Sequence, residues 1–226
     1  MPKESREQTR SRVRLIIATL KRTHPDAKLA LDFANPLELL VALILAAKAR
    51  DDRVNNVTAV LFKKYRTAKD WMRLRKEEVN RINFYRNKTR SIQGACRVVV
   101  EEFSGKVPDN MDDLLTLPGV GRKTANIILG NAFGVPAIGV DTHIWRLSQR
   151  LGLTKKDKPD DIEADLVNVV PRRDSIKFCH LLQFHGRRVC TARNPNCPAC
   201  SINRLCPWPE KPWRRVLTAA ASGAGG

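Results

Sequence analysis

The sequence predicts an all-α fold, and three observations predict it. Apolar residues recur at helical spacing along nearly the whole chain, helix-start and helix-stop residues bracket those runs, and no stretch alternates apolar with polar between hairpin turns. The elements follow in order. Val13, Ile16, Ile17 and Leu20 fall on one helix face, and Pro25 ends that helix. Asn35-Pro36-Leu37-Glu38 supplies an N-cap, a first-turn proline and a carboxylate at the third position, so a helix starts there. It runs to about residue 49 and is apolar almost all round, which predicts a central position. Val54, Val57 and Leu61 mark a third helix, and Trp71, Leu74 and Val79 a weaker fourth. Ile92, Cys96, Val99 and Phe103 mark a fifth, stopped at Gly105. Residues 112–115 form a short helix, and 122–133 the next, closed by Gly134. Asp141 opens a helix that runs to Leu151, Asp160 or Asp161 opens another ended by Pro171, and 176–185 is the last.

Composition narrows the function. The chain has 226 residues, enough for one or two domains, and 42% of them are hydrophobic, enough for a buried core. The longest apolar run, 39–47, is far short of the roughly 20 residues a membrane span needs. The charged start, 1–14, has no signal-peptide pattern, so a soluble, cytoplasmic monomer is expected. Lys and Arg number 41 against 23 Asp and Glu, a net charge of +18. That excess points to a polyanion, and its spread along the chain argues against a membrane-surface segment. Residues 216–226 are low-complexity and predicted to be a disordered tail.

Three local patterns carry chemistry. Leu117-Pro118-Gly119-Val120-Gly121 joins the short helix to the next. Two glycines two apart let backbone N–H groups face one way, and the helix start behind them adds its own free N–H groups and dipole. Alone, such a turn is often a mere connector. With flanking helices, small Ala125 and the net charge, it reads as a helix-hairpin-helix that holds a DNA phosphate through Gly119, Val120 and Gly121. Lys123 stands one residue inside the following helix, a place that suits a phosphate contact or a solvated side chain, and also a nucleophilic amine, which the helix end and Arg122 would favour. Asp141 suits an N-cap, and a carboxylate so fixed is also what a developing oxocarbenium at a sugar C1′ requires. Finally, Cys190-x6-Cys197-x2-Cys200-x5-Cys206 is a metal-ligand pattern that suits a [4Fe–4S] cluster or one zinc ion on spacing alone. Cys96 and Cys179 fall on apolar helix faces and read as core thiols.

The stretch from Leu117 to Asn126, followed by Val140-Asp141-Thr142-His143-Ile144, resembles the endonuclease III signature. His185-Gly186-Arg187 and the four cysteines are similar to that family's cluster loop, and the resemblance covers about 10–210. It implies a helix-hairpin-helix glycosylase fold: a six-helix barrel over 25–136, a cluster domain from 1–24 with 137–215, and a DNA cleft between them. It implies a bifunctional glycosylase and abasic-site lyase of base excision repair, acting on double-stranded DNA that carries an oxidised pyrimidine. Lys123 attacks C1′ and forms a Schiff base, Asp141 assists from across the cleft, and β-elimination cuts the strand. It also decides for a [4Fe–4S] cluster on Cys190, Cys197, Cys200 and Cys206. Arg187 and Arg193, with the loop 191–196, are expected at the DNA backbone.

The chain departs from that family at two places. Lys48 stands where a glutamine usually fills the hole left by the flipped base, and a lysine offers no acceptor to a base edge. Asn83-Phe84 replaces Gly followed by Leu or Phe in the intercalating loop, where Asn83 is expected to take the positive φ and Phe84 to wedge between bases. Asp51 matches the family and is expected at the extruded base. These departures imply a changed lesion preference or a weaker turnover, with the chemistry retained.

Overall fold

A computed structural model describes residues 4–208, so the predicted tail at 216–226 lies outside the described residues. Among the described residues the chain forms ten α-helices and three short 3-10 turns, with no strand. Contacts divide it into two units, one built from the residues up to Lys28 together with those from Val140 onward, the other Leu29–Gly139.

The first unit is built on α1 (Arg6–Thr23), α8 (Thr142–Arg150), α9 (Pro159–Val169) and α10 (Ser175–Arg188). Ser5 and Gln8 close a capping box at the start of α1, and Val13, Ile16, Ile17 and Leu20 form its buried face. That face meets α9 and α10, and α8 packs against the same two helices. Ile144, Leu147, Ile162, Leu166, Phe178, Leu181 and Leu182 complete the core. α9 starts at Pro159, so Asp160 and Asp161 lie in its first turn and neither is the cap. α10 runs three residues past the expected end, to Arg188.

The second unit holds α2 (Pro36–Ala46), α3 (Asp51–Lys64), α4 (Ala68–Trp71), α5 (Tyr85–Glu101), α6 (Met111–Thr116) and α7 (Arg122–Phe133). α2 is its centre: Leu39, Leu40, Val41, Ala42, Ile44 and Leu45 are all buried, and α3, α5 and α7 pack round it. The expected continuation of α2 to 49 does not form. Ala47 leaves helical angles with ψ 115°, and Lys48 takes a left-handed φ of 53°. The expected fourth helix is a single turn, α4, followed by a 3-10 turn at Lys76–Val79. Each short piece is capped at its own start, by Thr67 with Asp70 and by Glu78 on the Arg75 N–H, and that interrupts a continuous helix. Phe103 lies just beyond α5.

Candidate active site and cysteine cavity

The hairpin 117–121 docks on α5 through two missing side chains. A Cβ on Gly119 would stand 2.8 Å from the Ser91 Cβ, and a Cβ on Gly94 would stand 3.2 Å from the Pro118 Cγ. Gly119 also needs its left-handed φ of 83°, which L residues avoid. Leu117 and Val120 point inward, and Ala125 is fully buried, so α6 and α7 close tightly behind the turn. Gly121 is the N-cap of α7 and brings no side-chain cap to its first turn, which leaves the helix start available to an anion. Lys123 is exposed in that first turn. Behind it, the Asn126 side chain donates to the Ile138 carbonyl at 3.1 Å. Gly139 presses so closely on α7 that a Cβ would stand 3.1 Å from the Lys123 carbonyl oxygen. The sequence reading gave neither Asn126 nor Gly139 a role.

Asp141 belongs to the other unit, as the N-cap of α8. Its Oδ1 accepts from the His143 and Ile144 N–H groups at 2.9 and 2.8 Å, and its Oδ2 accepts from Gln183 Nε2 of α10 at 3.1 Å. The carboxylate is therefore fixed by two backbone donors and one side chain. Gln183 was not foreseen, because nothing local to Asp141 signals it.

The two departures from the family pattern meet one another. The Lys48 carbonyl accepts from Asn83 Nδ2 at 3.4 Å, and Lys48 Nζ stands 5.8 Å from the Phe84 ring centroid. Phe84 is 61% exposed, as a wedge requires. The expectation that Asn83 takes the positive φ is corrected: Phe84 does, at 58°, and so does Lys48. Phe84 serves as the N-cap of α5, and the left-handed angle turns the chain into that helix while leaving the ring outside. Asp51 opens α3 close by in the chain and is half-buried, while its neighbours Arg50 and Asp52 pair with each other at 2.9 Å.

Cys190, Cys197, Cys200 and Cys206 all line one cavity in the first unit, with Leu147, Leu151, Val189, Ile202 and Trp208 among its walls. Arg150 donates to Cys190 Sγ at 3.2 Å, and its other hydrogen bonds go to the carbonyls of Thr191 and Ala192, both at 2.8 Å. Its guanidinium lies 4.2 Å from the Trp208 ring centroid. A cation held among thiols suits a net-negative cluster, and four soft donors round one apolar cavity fit an iron–sulfur group. Arg150 also ties down the start of the loop 191–196, whose Arg193 is exposed, as is Arg187 at the end of α10. Arg188 is otherwise engaged: it forms a two-pronged pair with Asp26 at 3.0 and 2.6 Å and lies over Phe184. Gly186 is required by packing, since a Cβ there would stand 2.9 Å from His143 Nδ1. Cys96 and Cys179 are buried and do not line this cavity, and burial pushes the Cys96 thiol up to about 12, which keeps it inert.

Comparison with known proteins agrees with this geometry. Residues 41–172 match the HhH-GPD superfamily base excision DNA repair protein family. The chain is 49% identical to endonuclease III of Synechocystis sp. over 197 residues, 85% of this chain and 90% of that one. It is 39% identical to endonuclease III of Escherichia coli K12 over 200 residues, 87% and 95% of the two chains. A solved non-covalent endonuclease III–DNA complex superposes with a TM-score of 0.84 at 40% identity, covering 91% of this chain and 98% of the other. The chain therefore belongs to the HhH-GPD superfamily of base excision DNA repair proteins, in its endonuclease III family of DNA glycosylases and abasic-site lyases.

Proposed function

We propose that the protein is a bifunctional glycosylase whose nucleophile is Lys123, acting as a monomer on double-stranded DNA in the cytoplasm, at the nucleoid. One observation carries the reading: an exposed lysine in the first turn of α7, immediately after a glycine hairpin whose helix start has no side-chain cap. A DNA phosphate gripped at Gly119, Val120 and Gly121 fixes the register of the strand without reading its sequence. The damaged nucleotide is then extruded toward the amine. Lys123 Nζ bonds to C1′ while the N-glycosidic bond breaks and the base leaves with the electron pair. Asp141, fixed at the start of α8, stabilises the positive charge that develops on the sugar. Ring opening gives the Schiff base. Loss of a C2′ proton then expels the 3′ phosphate by β-elimination, which cuts the strand.

Oxidised pyrimidines are the substrate class that the resemblance favours. Asp51 is assigned to the extruded base. Lys48, Asn83 and Phe84 are assigned to the gap it leaves, where their departures from the family pattern retune lesion preference. Cys190, Cys197, Cys200 and Cys206 hold a [4Fe–4S] cluster that braces the loop 191–196, so that Arg193, together with Arg187, meets the DNA backbone. The test is borohydride trapping on a duplex with an abasic site. Wild type becomes cross-linked and cuts the strand, and Lys123→Ala does neither. A Lys123→Ala variant that still traps would refute the assignment.

A further inference from the structure

Two buried histidines stand in line behind one cysteine of the cavity. His185 Nε2 is 3.4 Å from Cys200 Sγ, and His185 Nδ1 is 3.1 Å from His24 Nε2. His185 is 1% exposed and His24 3%. His24 is the C-cap of α1, where its backbone N–H donates to the Leu20 carbonyl and its own carbonyl accepts from the Ala27 N–H. The backbone at His24 is thus held on both sides. Beyond it, Asp26 and Arg188 close their ion pair. His185 belongs to α10, in the same unit as all four cysteines.

We infer that His24 holds His185 in the single tautomer that donates a hydrogen bond to the Cys200 sulfur, and that this pair of imidazoles sets the reduction potential and durability of the bound cluster. The inference rests on the cluster reading. A cysteine bound to iron carries no proton, so it only accepts. The 3.4 Å contact is then favourable only with hydrogen on His185 Nε2. In a neutral imidazole that leaves Nδ1 as an acceptor. The group facing Nδ1 must donate, and that group is His24 Nε2. The chain of donors runs one way, from α1 through α10 to the sulfur. A hydrogen bond drains negative charge from a ligating sulfur, which favours the reduced cluster and raises its potential. Arg150 does the same to Cys190, so Cys190 and Cys200 each have a side-chain donor. The difference is that Arg150 donates in any state, whereas His185 donates only while its tautomer is held.

The experiment uses the full-length, iron-loaded protein. His24→Phe removes the donor and keeps a flat ring, and His24→Gln restores an N–H near the lost Nε2. Iron content, the cluster potential by film voltammetry and the ring nitrogens by 15N NMR are read in each, together with bleaching of the cluster's visible absorbance in air. The expected result is four irons in every variant, a potential shifted negative and faster bleaching in His24→Phe, and return toward wild type in His24→Gln. The NMR signal should put hydrogen on His185 Nε2 in wild type and on a mixture of both nitrogens in His24→Phe. An unmoved potential in His24→Phe with four irons retained, or hydrogen on His185 Nδ1 in wild type, would overturn the inference alone. Zinc or no metal in freshly isolated wild type would overturn the cluster reading and the inference with it.

Discussion

At the scale of single residues, Asp141 is an N-cap to which a second, separable job is proposed. As an N-cap it satisfies two backbone donors of α8, and as a carboxylate it carries the charge proposed to stabilise the reacting sugar. Asp141→Ala loses both, with about 1 kcal/mol of stability gone with the cap. Asp141→Asn keeps an oxygen for the His143 and Ile144 amides, so its thermal midpoint should stay near wild type. Its single-turnover excision should nonetheless fall by about 10²-fold or more. Equal rates in wild type and Asp141→Asn would reduce the residue to a cap. The capping role was legible in the sequence, because Asp before a helical run is a local signal. Gln183, which fixes the second oxygen from 42 residues away, was not, since no local pattern reports a contact made by folding. The same holds for His24 and His185, separated by 161 residues. At Asn83-Phe84 the local argument failed for another reason. Asparagine tolerates a left-handed angle better than phenylalanine does, yet the need to keep the ring outside α5 gives that angle to Phe84.

At the scale of elements, the hairpin and the 3-10 turn make the sharpest claims. Gly119→Ala places a methyl 2.8 Å from Ser91 and forces an L residue to a φ of 83°. The strain alone is worth about 1–2 kcal/mol, and the clash displaces the turn proposed to grip the phosphate. Chemical denaturation should report the stability loss, and fluorescence anisotropy a weaker grip on abasic DNA. Ser91→Gly in the same chain should return the part due to the clash and leave the part due to the angle. Glu78 fastens the 3-10 turn to α3: burial pushes its carboxyl up, but Lys64 and Tyr65, each at 2.5 Å, outweigh that and hold it down at about 2. A folded pKa below the ordinary 4.5 means the stabilisation is complete above pH 4.5 and fades as pH falls toward 2. Glu78→Gln should thus cost about 2 kcal/mol near neutrality, and the gap from wild type in urea melts should close between those two values. A gap independent of pH would show that charge has no part in it. Long helices such as α1, α2 and α7 were readable because periodicity and caps agree. The region 68–82 was not, because Thr67 and Glu78 each begin their own short turn within an apolar pattern that reads as one helix.

At the scale of the whole molecule, charge and connectivity were legible before any coordinates: +18 implied a polyanion, and the hairpin with the four-cysteine spacing implied the family. The grouping of the first helix with the last third of the chain came from the resemblance, since no spacing argument joins segments so far apart. DNA affinity should fall linearly on a log–log plot against salt, by about 0.9 for each phosphate neutralised. Arg193→Ala should lower that slope by about 1 with no change in lesion ranking, and an unchanged slope would remove the loop 191–196 from the interface. The most direct test of the account is to map the covalent adduct itself. After borohydride reduction on abasic DNA, nuclease and protease digestion followed by mass spectrometry should find the sugar remnant on Lys123 alone. A remnant on Lys48, on the N-terminal amine or on any other lysine would contradict it.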